Sequence, residues 1–312
     1  MAKMSQNVKE IIQVVVFVLV VAILIIVFVV YPLNRTKAFL ARPDVDSFKP
    51  DPLPTNDISA FAEFRATVDT FRVDADGLTS LACAYMTPRA DTLSPDVVPP
   101  IRGSAILLHA EGVDRKAMLP LAKMLIDSGW AVCLYDQRAS GLSSGRYHSD
   151  GELEAADLTE VIAYLRIRDR VVHPFVAVGE SNGADAALLA AAEENYFDAV
   201  VAVKPYLTTE RWLDILMANH DMYWIPFSHT IFKFWYELRS GYAPEYRKPE
   251  NLRGPLCRTL IVDTEARLAD EAVTEYLSKG EPGEITTAVM PAETNRLDGD
   301  IMTFVRTVRT EQ

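Results

Sequence analysis

Residues 176–189 read Val-Ala-Val-Gly-Glu-Ser-Asn-Gly-Ala-Asp-Ala-Ala-Leu-Leu, and no other stretch restricts the fold as much. A short apolar run ends at Gly179, Ser181 stands one residue from a glycine on each side, and an Ala/Leu-rich helical pattern follows at once. Gly-x-Ser-x-Gly between a strand and a helix describes a turn so sharp that its flanking positions tolerate almost no side chain. The turn pushes the serine hydroxyl out above the sheet edge. It also aims the free N–H groups of the helix N-terminus at the same spot.

The sequence around this turn alternates. Apolar runs at 105–109, 131–135, 175–178, 199–203, 259–263 and 285–290 read as strands. Helical spacing links Ala117, Leu121, Met124 and Leu125, then Leu153, Leu158, Val161, Ile162 and Leu165. It returns after the turn to Glu194, over 268–278 and over 301–309. Strands separated by helices of this length imply right-handed crossovers and a mainly parallel sheet. Ahead of them, 64–73 and 78–86 are strand-like and joined by Asp74-Ala-Asp-Gly77, a hairpin signal, and the Pro-rich 87–100 stretch reads as a surface loop. Residues 205–252 break the rhythm with a crowd of aromatics, including Tyr206, Trp212, Trp224, Phe227 and Phe234, over a length that suits two or three helices.

Residues 11–31 are apolar apart from Gln13, about the length a helix needs to cross a bilayer. A signal peptide would be shorter and would end at small residues, whereas Phe39 and Leu40 precede Ala41. The expectation is a tail at 1–10, a single-pass transmembrane helix at 11–31, a Pro-rich tether at 32–61 and a folded domain at 62–312. Lys3 and Lys9 on one side nearly balance Arg35, Lys37 and Arg42 on the other. A plasma or inner membrane location follows, with the side left open and a lean to the extracytoplasmic one.

The net charge of −12 argues against a nucleic-acid partner, since phosphate binding needs a basic surface. Cys83, Cys133 and Cys257 read as buried thiols and not as a disulfide framework or a metal site. No phosphate loop or nucleotide fingerprint is visible, so no cofactor is expected.

The order of elements resembles the α/β-hydrolase superfamily, in particular its membrane-anchored serine-aminopeptidase-like branch. The resemblance rests on Ile106-Leu-Leu-His-Ala110, on Leu134-Tyr-Asp-Gln-Arg138 with the Gly/Ser loop after it, and on Gly179-Glu-Ser-Asn-Gly183. It implies an α/β-hydrolase fold: a mostly parallel central sheet, helices on both faces, and a helical cap insertion at 205–252. The 105–109 and 199–203 strands would flank the strand that leads to Ser181. The family's chemistry is acyl transfer, in which serine attacks a carbonyl, histidine takes its proton and backbone N–H groups hold the oxyanion. Ser181 stands at the nucleophile position, and Ala110, Glu111 and Asn182 form the oxyanion-hole region.

The partners of Ser181 depart from the family pattern. Arg267 stands where the family places its aspartate, with Asp263 or Glu265 as stand-ins. Thr294 stands at or near the histidine position, and the chain's five histidines, His109, His148, His173, His220 and His229, all precede it. A triad in the family's chain order is therefore excluded. Without an adjacent base a serine hydroxyl stays protonated and is a poor nucleophile. A Glu111 carboxylate turned inward would repel a developing oxyanion.

Lys204, at the end of the 199–203 strand, is the candidate substitute base, against the structural reading in which it pairs with Glu180 or Asp185. His109 is expected to support the oxyanion loop. His220 and His229 belong to the cap, and His173 to the far end of the sheet. Asp136 and Arg138 are expected to tie loops together. The expectation is thus a hydrolase-like pseudoenzyme that binds a small acyl ligand or serves as an accessory subunit in a membrane-protein complex, docked through cap or anchor. The alternative is an active serine hydrolase using Ser181 with Lys204 or a cap histidine.

Overall fold

A computed structural model describes residues 6–40, 64–89, 100–219, 222–243, 247–280, 284–290 and 298–308. The chain divides into two compact units.

The larger unit holds an eight-stranded sheet in the order β1-β2-β4-β3-β5-β6-β7-β8. Its strands are β1 (Ala66–Asp74), β2 (Ser80–Pro88), β3 (Ser104–Leu108), β4 (Ala131–Tyr135), β5 (Phe175–Glu180), β6 (Ala199–Val203), β7 (Arg258–Asp263) and β8 (Ile285–Val289). β2 pairs antiparallel with both β1 and β4, and every other pairing is parallel. β5 lies between β3 and β6, as the sequence predicts.

β3 and β4 are buried along their whole length and β5 up to Gly179, which is why they read as continuous apolar runs and not as alternating ones. One face of the sheet packs Ile106, Cys133, Ala177 and Val200 against Leu158, Ile162, Ala187 and Ala190. Those last four come from the helices Glu152–Ile167 and Asn182–Glu193. The other face packs Leu107, Val132, Val176 and Val178 against Leu121, Leu125, Ile301 and Val305, from the helices Leu119–Asp127 and Asp298–Thr307. Helices on both faces and a mostly parallel sheet make this an α/β-hydrolase fold.

Several element boundaries differ from the sequence reading, and two of them have a visible cause. The hairpin turn extends two residues further, because the Asp76 carboxylate accepts from the Leu78 and Thr79 N–H groups at 3.0 and 2.7 Å and holds them out of the strand. The helix expected over 268–278 is two pieces, Glu265–Leu268 and Glu271–Leu277, since Asp270 caps the second by accepting from the Ala272 N–H.

The smaller unit joins the first helices to part of the insertion. Gln6–Ile25 is α-helical, Ile26–Val30 makes a π-turn, and Tyr31–Leu40 is again α-helical, so the expected tether is helical in its first part. Val8–Arg35 is long and apolar enough to cross a membrane. The insertion supplies residues 213–243, which hold the end of the helix Thr209–Asn219 and the whole helix Ser228–Ser240. Residues 41–61 of the expected tether lie outside the described residues.

Candidate active site around Ser181

β5 delivers the chain to Ser181, whose φ of 53° and ψ of −119° place it in a region that L-residues rarely occupy. The strain is held by hydrogen bonds on both sides. The Ser181 N–H donates to the Val203 carbonyl at 2.9 Å, and its own carbonyl accepts from Ala184 and Asp185. Both glycines are required by close approach. A Cβ on Gly179 would overlap the Gly183 backbone, and one on Gly183 would stand 2.7 Å from the His109 carbonyl oxygen. The turn, its glycines and its helix match the sequence expectation.

Glu111 points inward. The Asn182 N–H, which the hydrolase mechanism would offer to an oxyanion, donates to Glu111 Oε2 at 3.4 Å, and the Tyr206 hydroxyl donates to Glu111 Oε1. Burial and the charge of Glu111 raise the Tyr206 pKa, while a hydrogen bond from the Ser181 hydroxyl pulls the other way. Ser181, Tyr206 and Glu111 are thus one connected cluster. With its proton held so firmly, Tyr206 is a donor here and not a base.

Lys204 lies at the end of β6 in a left-handed conformation, φ 51°, with its N–H donated to the Val262 carbonyl at 2.8 Å. Of its two expected partners, Asp185 has its carboxylate engaged by the Tyr206 and Leu207 N–H groups and by Arg247. The positive charge of Lys204 acts instead on Asp263. No hydrogen bond joins Lys204 to Ser181 among the described residues.

Arg267, expected from the sequence at the position of the family acid, forms an ion pair with Asp263 at 3.1 Å and donates to the Pro205 carbonyl at 2.6 Å. Asp263 also accepts from the Thr264 N–H at 2.7 Å, so this stand-in acid is already committed to a cation and a backbone donor. Thr294 lies outside the described residues.

The model of the serine aminopeptidase S33 family matches residues 99–257, which is half of the chain and includes β3, β4, the Ser181 turn and β6. The chain belongs to this family. No curated protein matches it. Among solved structures, an esterase from Pyrococcus furiosus superposes with a TM-score of 0.59 at 18% identity, covering 82% of this chain and 94% of the esterase. A serine hydrolase without a lid from Xanthomonas campestris gives 0.52 at 21% identity, covering 82% and 97%. The 2,6-dihydroxy-pseudo-oxynicotine hydrolase gives 0.56 at 15%, covering 77% and 68%. These similarities concern the fold. The S33 match ends at Cys257, ahead of β7 and of the positions held by Arg267 and Thr294.

The remaining polar groups of this S33 chain serve the scaffold. His109 is fully buried. Its Nε2 accepts from the Gln137 N–H at 2.9 Å, which leaves Nδ1 as the donor to the Ala110 carbonyl at 2.7 Å. Burial lowers its pKa and keeps the ring neutral, and its two hydrogen bonds brace the loop that follows β3. His173 pairs with Asp198 at 2.6 Å at the far end of the sheet, and His229 lies 3.2 Å from Asp214 within the smaller unit. His148 stands 3.3 Å from Ser140 and 3.8 Å from Glu154. His220 lies outside the described residues. Asp136 holds the buried Arg115 at 2.6 Å, and Arg138 forks onto Asp157 at 2.6 and 2.7 Å, so both tie loops as expected.

Sequence reasoning missed the network under the site. Asp185, on the helix that follows Ser181, accepts from the Tyr206 and Leu207 N–H groups, both at 2.7 Å, and so fixes where Tyr206 goes. Arg247, near the end of the insertion, balances it at 3.3 Å and also pairs with Asp150 at 3.4 Å. Burial pushes the Asp185 pKa up to about 6 even with Arg247 pulling it down. Among the described residues no group of His, Cys, Asp and Glu is placed to hold a metal ion.

Proposed function

We propose that this S33 chain is a membrane-tethered hydrolase-fold protein that works by binding, as a receptor for a small acyl-bearing ligand or as an accessory subunit, with turnover impaired. One observation carries the reading: the Glu111 carboxylate occupies the Asn182 N–H that acyl transfer needs for its oxyanion. A fixed negative charge there opposes the charge that develops in the transition state. Support comes also from Arg267, whose ion pair with Asp263 commits that stand-in acid to a cation. For the tether, the support is the apolar 28-residue helix.

The test is a fluorophosphonate probe applied to the detergent-solubilised chain. Labelling of Ser181 far below stoichiometric is expected. Stoichiometric labelling that Ser181→Ala abolishes would sink the reading.

A second reading, an active serine hydrolase, is favoured by the intact and strained backbone at Ser181, which costs of order 1–3 kcal/mol to hold. On that reading Lys204 is the base, and turnover disappears in both Ser181→Ala and Lys204→Met.

A further inference from the structure

The helix Ser228–Ser240 is apolar on two sides. Ser228, Phe232 and Tyr236, spaced four apart, are buried. Phe234 and Leu238 form a second stripe, 57% and 65% exposed, which Phe227 at the N-cap continues at 79%. Tyr223 and Trp224, just ahead, are 58% exposed each. A helix with a second apolar face has that face covered by something outside its own fold.

The depth of this surface can be read from its neighbour. The apolar run of residues 11–30 rises about 30 Å at 1.5 Å per residue, close to the hydrocarbon thickness of a bilayer. Tyr31 stands at its end, with the Arg35 guanidinium 5.2 Å from its ring centre. Trp224 packs edge-on against Tyr31, with ring centroids 5.5 Å apart. Trp224 is therefore level with the boundary where the apolar run gives way to polar residues. Tyrosine and tryptophan favour that boundary because each joins an apolar ring to a polar N–H or O–H.

Resting on the tether reading above, we propose that the exposed aromatic surface of residues 223–238 lies in the headgroup layer of the bilayer that the first helix crosses. Continuity with the apolar helix, through Tyr31, selects lipid over a partner protein as the occupant.

The test uses the full chain reconstituted in phosphatidylcholine vesicles that carry a spin label either near the headgroup or deep in the acyl chain. After an alkaline carbonate wash the protein should float with the vesicles. The shallow label should quench tryptophan emission at least twofold more than the deep label. In a Trp235→Phe background, Trp224→Phe should remove most of that quenching, and Phe227→Trp should increase it. If the protein floats but, in that background, the shallow label quenches equally with and without Trp224, the surface faces solvent or protein and only this proposal fails. Release of the protein by carbonate would remove the tether and the proposal together.

Discussion

Glu111 is partly exposed, yet it accepts from both the Asn182 N–H and the Tyr206 hydroxyl. If its carboxylate is the obstacle to acylation, Glu111→Gly should raise the rate of fluorophosphonate labelling at Ser181 by about 100-fold, the value of one oxyanion donor. An unchanged rate would show that the obstacle lies elsewhere. Glu111 could be placed from the sequence, because it follows the apolar run 105–109, but its direction could not. Tyr206 was legible only as one more aromatic of the insertion. Its role depends on the left-handed turn at Lys204 and on Asp185, which draw the chain back over Ser181. Neither a positive φ at a lysine nor a contact across 21 residues leaves a local pattern.

Among the elements, the strand, turn and helix at Ser181 were readable because their requirements are steric and local. Gly183→Ala should cost about 2–3 kcal/mol, seen as a lower thermal midpoint, since the new methyl would meet the His109 carbonyl and the Leu108 side chain. The buried charges beneath the turn were not readable, since Asp185 and Arg247 are 62 residues apart. Arg247→Met leaves Asp185 and Asp150 without their cation and should cost about 3 kcal/mol. In Glu154, on the helix Glu152–Ile167, burial alone would raise the pKa, but His148, Arg138 and Ser149 together hold it at about 2. A depressed carboxylate stabilises above its unfolded pKa, and that stability is lost as pH falls toward the folded one. Glu154 should thus contribute about 3 kcal/mol at neutral pH. That contribution fades from about pH 4.5 to 2, a slope that denaturation of Glu154→Gln should lack.

On the scale of the molecule, alternation of strand and helix was enough to reach the fold and its central strand, because burial on both faces makes each strand a plain apolar run. The three cysteines follow the same logic. Cys83 and Cys133 are inside the sheet, where burial raises both thiols, Cys133 to about 12, and burial also takes Cys257 to about 12. The native chain should stay inert to Ellman's reagent under conditions in which the denatured chain yields three equivalents. Reaction of Cys83 or Cys133 in the native state would mean that the sheet opens readily, whereas Cys257, just ahead of β7, is only partly buried. The site was harder to read than the fold, because it sits on connections, where chemistry is free to vary without disturbing the strands.

Arg267 clasps both Asp263 and the Pro205 carbonyl, and this limits what the position can become. Arg267→Asp would set a second carboxylate beside the buried Asp263 and release the loop that carries Tyr206. Such a change would lose stability before it supplied Ser181 with any new partner. Single substitutions toward an acid are turned away there, so the arrangement behaves as a ratchet.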